Sequence, residues 1–363
     1  MKLRVAIACG GTGGHLFPGI AVAEELQQRG HETLLLVSSK QIDAVALQGN
    51  KEQKSRAIST VGWPGISPKL FSFLYTLYKS WGECRTIFNE FKPDMVLGMG
   101  GFTSAVPLEL GRRKKLATFI HESNAIPGRV TRLIAPRVTR TLLGFSRCAE
   151  HLRNAKCIVT GTPVRKGLTQ HNRAEVAEKF GLNPELKTLL VMGGSQGARG
   201  INEMIVQMLP LISNRRDEWQ FLHLSGPADA NLVEVNYRRQ KLTAVVKPFS
   251  SEMDQFYSLA DLAVCRSGAS SLTELSHYGL PSLLIPYPTA ADDHQTANAH
   301  IFSDVGAAVT LPEGKLSPER LRDEVTRLFT DDSAWRAMSE AARRLGSTNA
   351  AQTVAQELER CAS

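Results

Sequence analysis

Residues 4–26 read RVAIACGGTGGHLFPGIAVAEEL, and this stretch decides the class of fold. A strand predicted over Arg4–Cys9 runs into four glycines within five positions, and a helix predicted over Gly19–Arg29 follows. Glycine loses more conformational freedom on folding than any other residue, so four of them indicate a turn that something approaches closely. The order strand, glycine turn, helix predicts the opening of a βαβ unit in a parallel sheet.

The rest of the 363-residue chain repeats this order. Short β-branched runs alternate with amphipathic segments, which predicts an α/β protein of two doubly wound, Rossmann-like domains with parallel sheets. Two domains also suit this length. A long helix is expected over Phe71–Phe91. The further strands are predicted over Glu32–Val37, Met95–Leu97, Ala117–Ile120, Val138–Thr141, Thr188–Met192, Gln220–Leu224, Thr243–Lys247, Leu262–Cys265 and Ser282–Ile285.

The join between the domains is expected in CIVTGTPVRKGL, residues 157–168, where a strand ends in a Gly-Thr-Pro turn. Proline after glycine cannot continue a helix or a central strand. We therefore expect a first domain over residues 1–160 and a second over 161–344. A helix at about 345–363 is expected to cross back to the first domain.

The composition is that of a folded soluble protein, with 42% apolar and 21% charged residues. The apolar run at the start is too short for a signal peptide, and no stretch approaches the roughly 18 apolar residues of a membrane-spanning helix. The expected location is therefore cytoplasmic. Six cysteines are scattered without metal-ligand spacing, which favours reduced thiols over a zinc site or a disulfide framework.

The net charge of +8 is unevenly distributed. Residues 1–160 carry 22 Lys and Arg against 11 Asp and Glu, a net charge of +11, whereas the remainder carries 21 against 24, a net charge of −3. A basic half suits nucleic acid, an anionic membrane surface or a polyanionic substrate. Because no nucleic-acid-binding motif is present, we expect no nucleic acid partner.

Three glycine-rich turns follow predicted strands: GGTGGH (10–15), GMGGFTSA (98–105) and MGGSQGARG (192–200). A nicotinamide or flavin loop needs G-x-G-x-x-G, but Leu16 occupies the third glycine position. A Walker A nucleotide-binding loop is also excluded, because none of the three turns contains GK[ST]. The sequence therefore predicts no bound cofactor. What remains open is a phosphate or diphosphate site at a helix N-terminus, or a tight turn that binds nothing.

The residues His15, Glu274 and the pair Asp292–Asp293 each allow a structural and a functional interpretation. His15 is either a satisfied surface residue or a group that exchanges a proton or binds phosphate. Glu274 follows Ser271 with the S-x-x-E spacing of a capping box, and otherwise could accept hydrogen bonds from sugar hydroxyls. Asp292 and Asp293 at a helix opening are typical of dipole compensation, so we predict no metal site.

Seven segments together resemble the MurG family of bacterial N-acetylglucosaminyltransferases in order and rough spacing. They are GGTGGHLFPGIAVA (10–23), GMGGF (98–102), HESNAIPG (121–128), GTPVR (161–165), GGSQGA (193–198), CRSGA (265–269) with TE (273–274), and DDHQTANA (292–299). The resemblance implies a GT-B fold, with two Rossmann-like domains facing each other across a cleft. It also implies transfer of N-acetylglucosamine from UDP-N-acetylglucosamine to lipid I during peptidoglycan synthesis.

The resemblance places the acceptor on the first domain and the donor mainly on the second. It implies that Arg165 and Ser195 bind the donor diphosphate, that Glu274 holds the ribose hydroxyls and that the backbone of Ser250 recognises uracil. The full set of implied substrate-binding residues is Thr12, Gly13, Gly14, Asn124, Arg165, Ser195, Ser250, Ala269, Ser270, Ser271, Leu272, Thr273, Glu274 and Gln295.

The implied reaction inverts the anomeric centre, so a base must take the proton of the attacking hydroxyl. His15 is the first candidate, and the rival assignment has His15 bind the acceptor diphosphate while Glu122 or water takes the proton. The sequence departs from the family at Ser123, where HEQN reads HESN, and at Thr162, where GNPVR reads GTPVR. The shorter Ser123 cannot reach as far as the family's glutamine.

A lipid-linked acceptor implies a peripheral enzyme at the cytoplasmic face of the cell membrane. The stretch WPGISPKLFSFLYTLYKSW, residues 63–81, is rich in aromatic side chains and predicts either a core helix after a loop or an interfacial patch. The basic run 112–115 would support contact with anionic lipid. Other cell-wall synthesis proteins are further expected partners. The rival functions are a UDP-N-acetylglucosamine 2-epimerase and a non-catalytic basic protein that binds nucleotides or nucleic acid.

Overall fold

The computed structural model describes residues 2–39, 53–60, 62, 69–164, 168–194, 197–346 and 349–362. The chain forms two compact units, the first of Met1–Arg165 with Thr348–Ser363 and the second of Lys166–Ser347. The first unit thus contains the end of the chain as well as its beginning.

The first unit is built on a seven-stranded parallel sheet in the order β3-β2-β1-β4-β5-β6-β7. The order reverses direction at β1, as in doubly wound folds, so the carboxyl ends of β1 and β4 lie side by side. The strands are β1 (Arg4–Ala8), β2 (Glu32–Ser38), β3 (Ser55–Ile58), β4 (Met95–Gly98), β5 (Ala117–Glu122), β6 (Arg140–Leu143) and β7 (Cys157–Val159).

Helices cover both faces of this sheet with apolar side chains. One buried cluster joins Ile7 and Leu97 to Ile20, and a second joins Ala8 and Val96 to Phe88. The helices are α1 (Gly13–Gln28), α2 (Lys69–Phe91), α3 (Ala105–Arg113) and α4 (Arg129–Ile134), with α13 (Ala350–Arg360) from the end of the chain.

The second unit has a six-stranded parallel sheet in the order β10-β9-β8-β11-β12-β13. Its strands are β8 (Lys187–Met192), β9 (Trp219–Leu224), β10 (Ala244–Lys247), β11 (Leu262–Cys265), β12 (Ser282–Leu284) and β13 (Ala308–Thr310). Its helices are α5 (Arg173–Phe180), α6 (Arg199–Met208), α7 (Ala230–Arg239), α8 (Met253–Leu259), α9 (Ala269–Tyr278), α10 (His294–Ser303), α11 (Pro318–Thr330) and α12 (Asp332–Leu345).

The helix after the first glycine turn begins earlier than the sequence predicts. α1 starts at Gly13 instead of Gly19, with Pro18 inside the helix. Proline removes one backbone hydrogen bond but fits the first turns of a helix far better than its middle. The earlier start places His15 in the first turn of α1, after the glycine turn that follows β1.

The terminal helix α13 packs on α1 in the first unit. Val354 and Leu358 lie in the same buried cluster as Ile20 and Leu26. At the edge of this contact, Glu359 accepts from Arg29 at 3.0 Å and pairs with His31 Nε2 at 2.9 Å. The N–H of Leu3 donates to His31 Nδ1 at 3.1 Å, so Nε2 is the nitrogen that carries the hydrogen towards Glu359.

Replacing Glu359 by glutamine is expected to lower the free energy of unfolding by about 1 kcal/mol. The hydrogen bond from His31 and the nearby Arg29 charge lower the pKa of Glu359 below its ordinary value of 4.5. A depressed carboxyl pKa contributes stability above the unfolded-state pKa, and that stability is lost as the pH falls through the folded-state pKa. Denaturant unfolding at pH 7 and pH 3 should therefore differ less in the variant than in the native chain.

The matched control is Glu324→Gln, because Glu324 forms an ion pair with Arg327 and both residues lie on one helix, α11. Such a local pair contributes little, so its loss should change the free energy of unfolding by less than about 0.5 kcal/mol. Equal losses in the two variants would contradict a specific role of Glu359 in holding α13 to α1.

Candidate functional site

His15 is held at the opening of α1 by two neighbouring elements. Its Nδ1 lies 3.1 Å from the hydroxyl oxygen of Thr12, which is directed to the ring instead of capping the helix. The ring also lies against the turn after β4. A Cβ added to Gly101 would lie 2.9 Å from His15 Cε1, and one added to Gly100 would lie 3.2 Å from Nε2.

These contacts explain the glycines of GMGGF. Gly100 and Gly101 have φ angles of +91° and +67°, a conformation that L side chains rarely adopt, and they form the surface on which His15 rests. Two hydroxyls tie this turn to the end of β1, because Thr103 donates to the Gly10 carbonyl at 2.9 Å and Ser104 to the Ala8 carbonyl at 3.2 Å. The carboxyl ends of β1 and β4 therefore fix the imidazole between them.

The Glu122 carboxylate is buried and accepts four hydrogen bonds, three from the loop that follows β5 and one from α4. Oε1 accepts from the backbone N–H and the side-chain amide of Asn124, at 3.1 and 3.0 Å. Oε2 accepts from the Gly128 N–H at 3.0 Å and the Thr131 hydroxyl at 2.7 Å. An ionised carboxylate has about four acceptor positions, so this geometry favours a positioning role over a role as proton acceptor.

The other two residues of HESN point into the fold. His121 Nε2 lies 2.9 Å from the Gly161 carbonyl, and burial lowers the pKa of His121, so the neutral ring donates to that carbonyl. Ser123 is buried, with its hydroxyl 3.4 Å from His121 Nδ1. The shorter side chain thus stays near the histidine.

The second departure from the family pattern leaves an unusual polar group. The hydroxyl of Thr162 is buried and makes no hydrogen bond within the part of the chain that the structure describes. Added to Gly144, a Cβ would lie 2.4 Å from that hydroxyl, so the packing around it is tight. The implied diphosphate ligands Arg165 and Ser195 lie outside the described residues.

The glycine-rich segment between β8 and α6 is constrained at its described glycines. Gly194 and Gly197 have φ angles of +95° and +76°, and the Gly197 N–H donates to the Gly194 carbonyl at 3.0 Å. A Cβ on Gly197 would lie 2.2 Å from the carbonyl oxygen of Ser225. This turn therefore depends on the position of Ser225 after β9.

A buried polar chain that the sequence analysis missed fixes Ser225. The Tyr237 hydroxyl lies 3.2 Å from His223 Nδ1, and His223 Nε2 lies 3.0 Å from Asn202 Oδ1. The amide of Asn202 in turn donates to the Ser225 carbonyl and to Asp229, both at 2.8 Å. Burial lowers the pKa of His223 to about 3, so the ring is neutral and joins one donor to one acceptor. The sequence signal for this chain was the presence of polar residues, such as His223 and Asn202, within otherwise apolar strand and helix patterns.

The segment Ala269–Glu274 forms the first turns of α9. Leu272 is fully buried in the core, Ser270 and Ser271 are half-buried, and the Thr273 hydroxyl donates to the Ala269 carbonyl at 2.9 Å. The capping-box interpretation of Ser271 and Glu274 is wrong, since α9 begins at Ala269 with Gly268 as its N-cap. Glu274 lies in the second turn and accepts from the Tyr257 hydroxyl at 2.8 Å.

Two further residues implied by the resemblance have local partners in the second unit. Ser250 accepts from the Glu252 N–H through its hydroxyl at 3.0 Å. Gln295 lies at the start of α10, and its side-chain oxygen accepts from the Tyr287 N–H at 2.9 Å. The side-chain nitrogen of Gln295 therefore points away from Tyr287. Asp292 and Asp293 precede α10 with φ angles of +53° and +52°, and Asp293 accepts from Thr296 at 2.7 Å.

Arg266, the arginine of CRSGA, is buried beneath these loops. Its guanidinium donates to the Ile285 and Pro286 carbonyls at 3.1 and 3.2 Å and pairs with Glu313. It thereby ties the end of β11 to the loop after β12, which leads to Gln295. Within the described ranges, no group of three or more His, Cys, Asp and Glu side chains is arranged to hold a metal ion. Across the same residues, no helix is both long and apolar enough to cross a bilayer.

Comparisons with known proteins cover both units. Residues 5–143 match the glycosyltransferase family 28 N-terminal domain, and residues 188–358 match the glycosyltransferase family 28 C-terminal domain. A UDP-N-acetylglucosamine–N-acetylmuramyl-(pentapeptide) pyrophosphoryl-undecaprenol N-acetylglucosamine transferase of Geobacter sulfurreducens is 36% identical over 98% of both chains.

Solved structures give the same result for the fold. The crystal structure of Acinetobacter baumannii MurG matches with a TM-score of 0.77 and 26% identity, over 99% of this chain and 100% of that one. A UDP-N-acetylglucosamine 2-epimerase matches with a TM-score of 0.70 but only 16% identity, over 99% and 96%, and so shares the fold alone. The two parallel-sheet units have the GT-B fold, and the chain belongs to the MurG family of glycosyltransferase family 28.

Proposed function

We propose that this chain transfers N-acetylglucosamine from UDP-N-acetylglucosamine to the C4 hydroxyl of undecaprenyl-diphosphate-linked N-acetylmuramyl-pentapeptide, lipid I, to form lipid II. The observation that carries the proposal is the family relationship over 98% of the chain, because it includes both units. The first unit binds the acceptor and the second unit binds the donor. The net charge of +11 on residues 1–160 supports this division, since the acceptor carries a diphosphate.

His15 is the proposed base. When Nδ1 carries the hydrogen and donates to Thr12, Nε2 holds the basic lone pair that accepts the proton of the C4 hydroxyl. The hydroxyl oxygen then attacks C1 of N-acetylglucosamine from the face opposite the diphosphate, and the bond from C1 to the UDP oxygen breaks. The anomeric centre is inverted, and the electron pair leaves with UDP.

The leaving diphosphate needs positive charge as it departs. The N-terminus of α6, which follows the Gly193–Gly197 turn, supplies backbone N–H groups and the positive end of the helix dipole. Arg165 and Ser195 are the proposed side-chain ligands. The buried chain from Tyr237 to Asn202 holds Ser225 against Gly197 and so supports the shape of this turn.

The remaining donor contacts are proposed along the carboxyl edge of the second sheet. Glu274 accepts from the ribose hydroxyls, Ser250 contacts uracil through its backbone, and the Gln295 amide donates to the sugar. Asn124, oriented by Glu122, and the turn Thr12–Gly14 complete the set from the first unit.

The test is incubation of the purified chain with radiolabelled UDP-N-acetylglucosamine and a lipid I analogue. A labelled glycolipid with release of UDP is the expected result. Appearance of an epimerised sugar nucleotide without acceptor would instead identify a 2-epimerase. Binding of nucleotide with neither product would identify a non-catalytic protein.

An exposed aromatic stripe on α2 supports contact with a membrane surface. Phe71, Leu74, Tyr75 and Tyr78 are spaced at i, i+3, i+4 and i+7, and all are exposed, Phe71 at 81%. The buried side chains of α2, such as Phe88, face the core instead. The helix therefore has a core face and an exposed apolar face, and the exposed face supports the proposed contact.

Basic side chains lie beside this stripe. The Arg113 guanidinium lies 4.9 Å from the ring centroid of Trp81, which joins the basic run to α2. A hydrogen bond from Arg112 lowers the pKa of Glu109 to about 2, so that carboxylate stays charged and orders both arginines. We propose that this surface binds the anionic lipid that surrounds lipid I at the cytoplasmic face of the membrane.

Replacing Phe71, Tyr75 and Tyr78 together by serine is expected to weaken binding to vesicles that contain phosphatidylglycerol at least tenfold, because three rings no longer enter the interface. Sedimentation with vesicles measures this. Roughly molar salt should also weaken binding by the native chain. The matched control replaces Leu232 and Val235, two exposed apolar residues of α7, and should bind as the native chain does. Equal binding to neutral and to anionic vesicles would contradict the proposed attraction between the basic side chains and anionic lipid.

A further inference from the structure

A buried tyrosine contacts the carboxylate that is proposed to bind ribose. The Tyr257 hydroxyl donates to Glu274 Oε2 at 2.8 Å, and both side chains are buried, at 3% and 8% exposure. Tyr257 lies on α8 and Glu274 on α9, so the contact joins two consecutive helices of the second unit.

The position of this hydroxyl is set by packing around the tyrosine ring. The ring lies against that of Tyr278 with centroids 5.2 Å apart, and the hydroxyl lies 3.8 Å from Met192 Sδ at the end of β8. Tyr257 is thus anchored on both sides by groups other than Glu274. A rigid donor can fix the rotamer of a flexible partner.

The proposed uracil contact, Ser250, lies shortly before helix α8 in the chain. Ser250 accepts from the Glu252 N–H directly before α8, which runs over Met253–Leu259 and carries Tyr257 in its second turn. One short segment, residues 250–257, therefore contains both the backbone proposed to contact uracil and the tyrosine that donates to Glu274.

We propose that Tyr257 is a positioning residue for ribose recognition, holding the Glu274 carboxylate in the orientation that accepts the ribose hydroxyls. This inference rests on the proposed role of Glu274 in binding the donor. A buried glutamate held in advance loses less side-chain freedom when the nucleotide arrives, since ordering such a side chain costs up to about 2 kcal/mol. The tyrosine hydroxyl also compensates the carboxylate for part of its lost hydration.

The test compares the binding of UDP and 2′,3′-dideoxy-UDP by calorimetry, because the second nucleotide lacks both ribose hydroxyls. The native chain should prefer UDP. Tyr257→Phe keeps the packed ring, and it should lower the affinity for UDP about tenfold while leaving that for dideoxy-UDP within about twofold. In the transferase assay, the same variant should raise KM for the donor and leave kcat within about threefold.

The matched control is Thr188→Val, which keeps the side-chain shape and removes a buried hydroxyl that accepts from the Gln220 amide in the same unit. Its thermal unfolding should show a comparable loss of stability, and its preference for UDP should equal that of the native chain. Glu274→Gln should lose the preference, and Tyr257→Phe added to it should lower the UDP affinity no further.

The outcomes separate the two proposals. If Glu274→Gln loses the preference while Tyr257→Phe keeps it, or if the two losses add, the positioning role is wrong and the ribose contact stands. If the native chain and Glu274→Gln bind UDP and dideoxy-UDP with the same ratio, the ribose role of Glu274 is wrong, and the inference about Tyr257 falls with it.

Discussion

Replacing His15 by alanine is expected to lower kcat roughly 100- to 10,000-fold, with KM for both substrates changed only a few-fold. A base acts on the proton that moves in the transition state, so its removal affects the chemical step more than binding. The ring is held between Thr12 and the Gly100–Gly101 turn. Because Nδ1 contacts Thr12, Nε2 is on the opposite side of the ring from that contact. Steady-state kinetics at saturating lipid I measures the effect.

The pH profile separates the base from the rival role of His15 in binding the acceptor diphosphate. In the native chain, kcat should fall at low pH as the base becomes protonated, and His15→Ala should lose that limb of the profile. His151→Ala, an exposed histidine of the same unit, is the control and should keep native kcat. A raised KM for lipid I with native kcat at saturation would assign His15 to binding.

Replacing Glu122 by alanine is expected to have the second-largest effect, a loss of about 3 kcal/mol or more in the free energy of unfolding. The change leaves the buried Thr131 hydroxyl without its acceptor and removes the hydrogen bonds from the half-buried Asn124 and from the Gly128 N–H to the carboxylate. An unpaired buried group costs about 1–3 kcal/mol, and each lost hydrogen bond to a carboxylate adds about 1.5–3 kcal/mol. Denaturant unfolding measures the loss, and Glu150→Ala, an exposed carboxylate of the same unit, should change it by less than about 0.5 kcal/mol.

The isosteric variant Glu122→Gln tests what the carboxylate does in the reaction. Both oxygens accept from donors, so an amide nitrogen placed at either position faces another donor and disturbs the loop. A positioning role predicts a higher KM for the donor, through Asn124, with kcat lowered less than tenfold. A variant that folds normally, binds both substrates and loses kcat as His15→Ala does would make Glu122 the base.

The elements of the fold could be largely predicted from the sequence, because strand and helix periodicity are local properties of the backbone. The predicted strands over Glu32–Val37 and Leu262–Cys265 are present as β2 and β11, for example. β3 and β13 were not predicted, since each is short and lies at a sheet edge where the apolar pattern is weak. The helix predicted over Gly19–Arg29 begins earlier, at Gly13, because Pro18 is accommodated within α1.

By itself, the sequence determined the two α/β domains, the glycine turns after their strands and the family, because each depends on residue order along one segment. The tertiary structure alone decided what the side chains contact. The sequence placed Gly100 and Gly101 in a candidate phosphate-binding turn. In the structure they pack against the His15 ring, about 85 positions away along the chain. Likewise, local spacing favoured a helix cap for Glu274, whereas in the structure it accepts from Tyr257 on the preceding helix. A parallel sheet brings the ends of strands together only through crossover connections, so these contacts have no signature in local sequence.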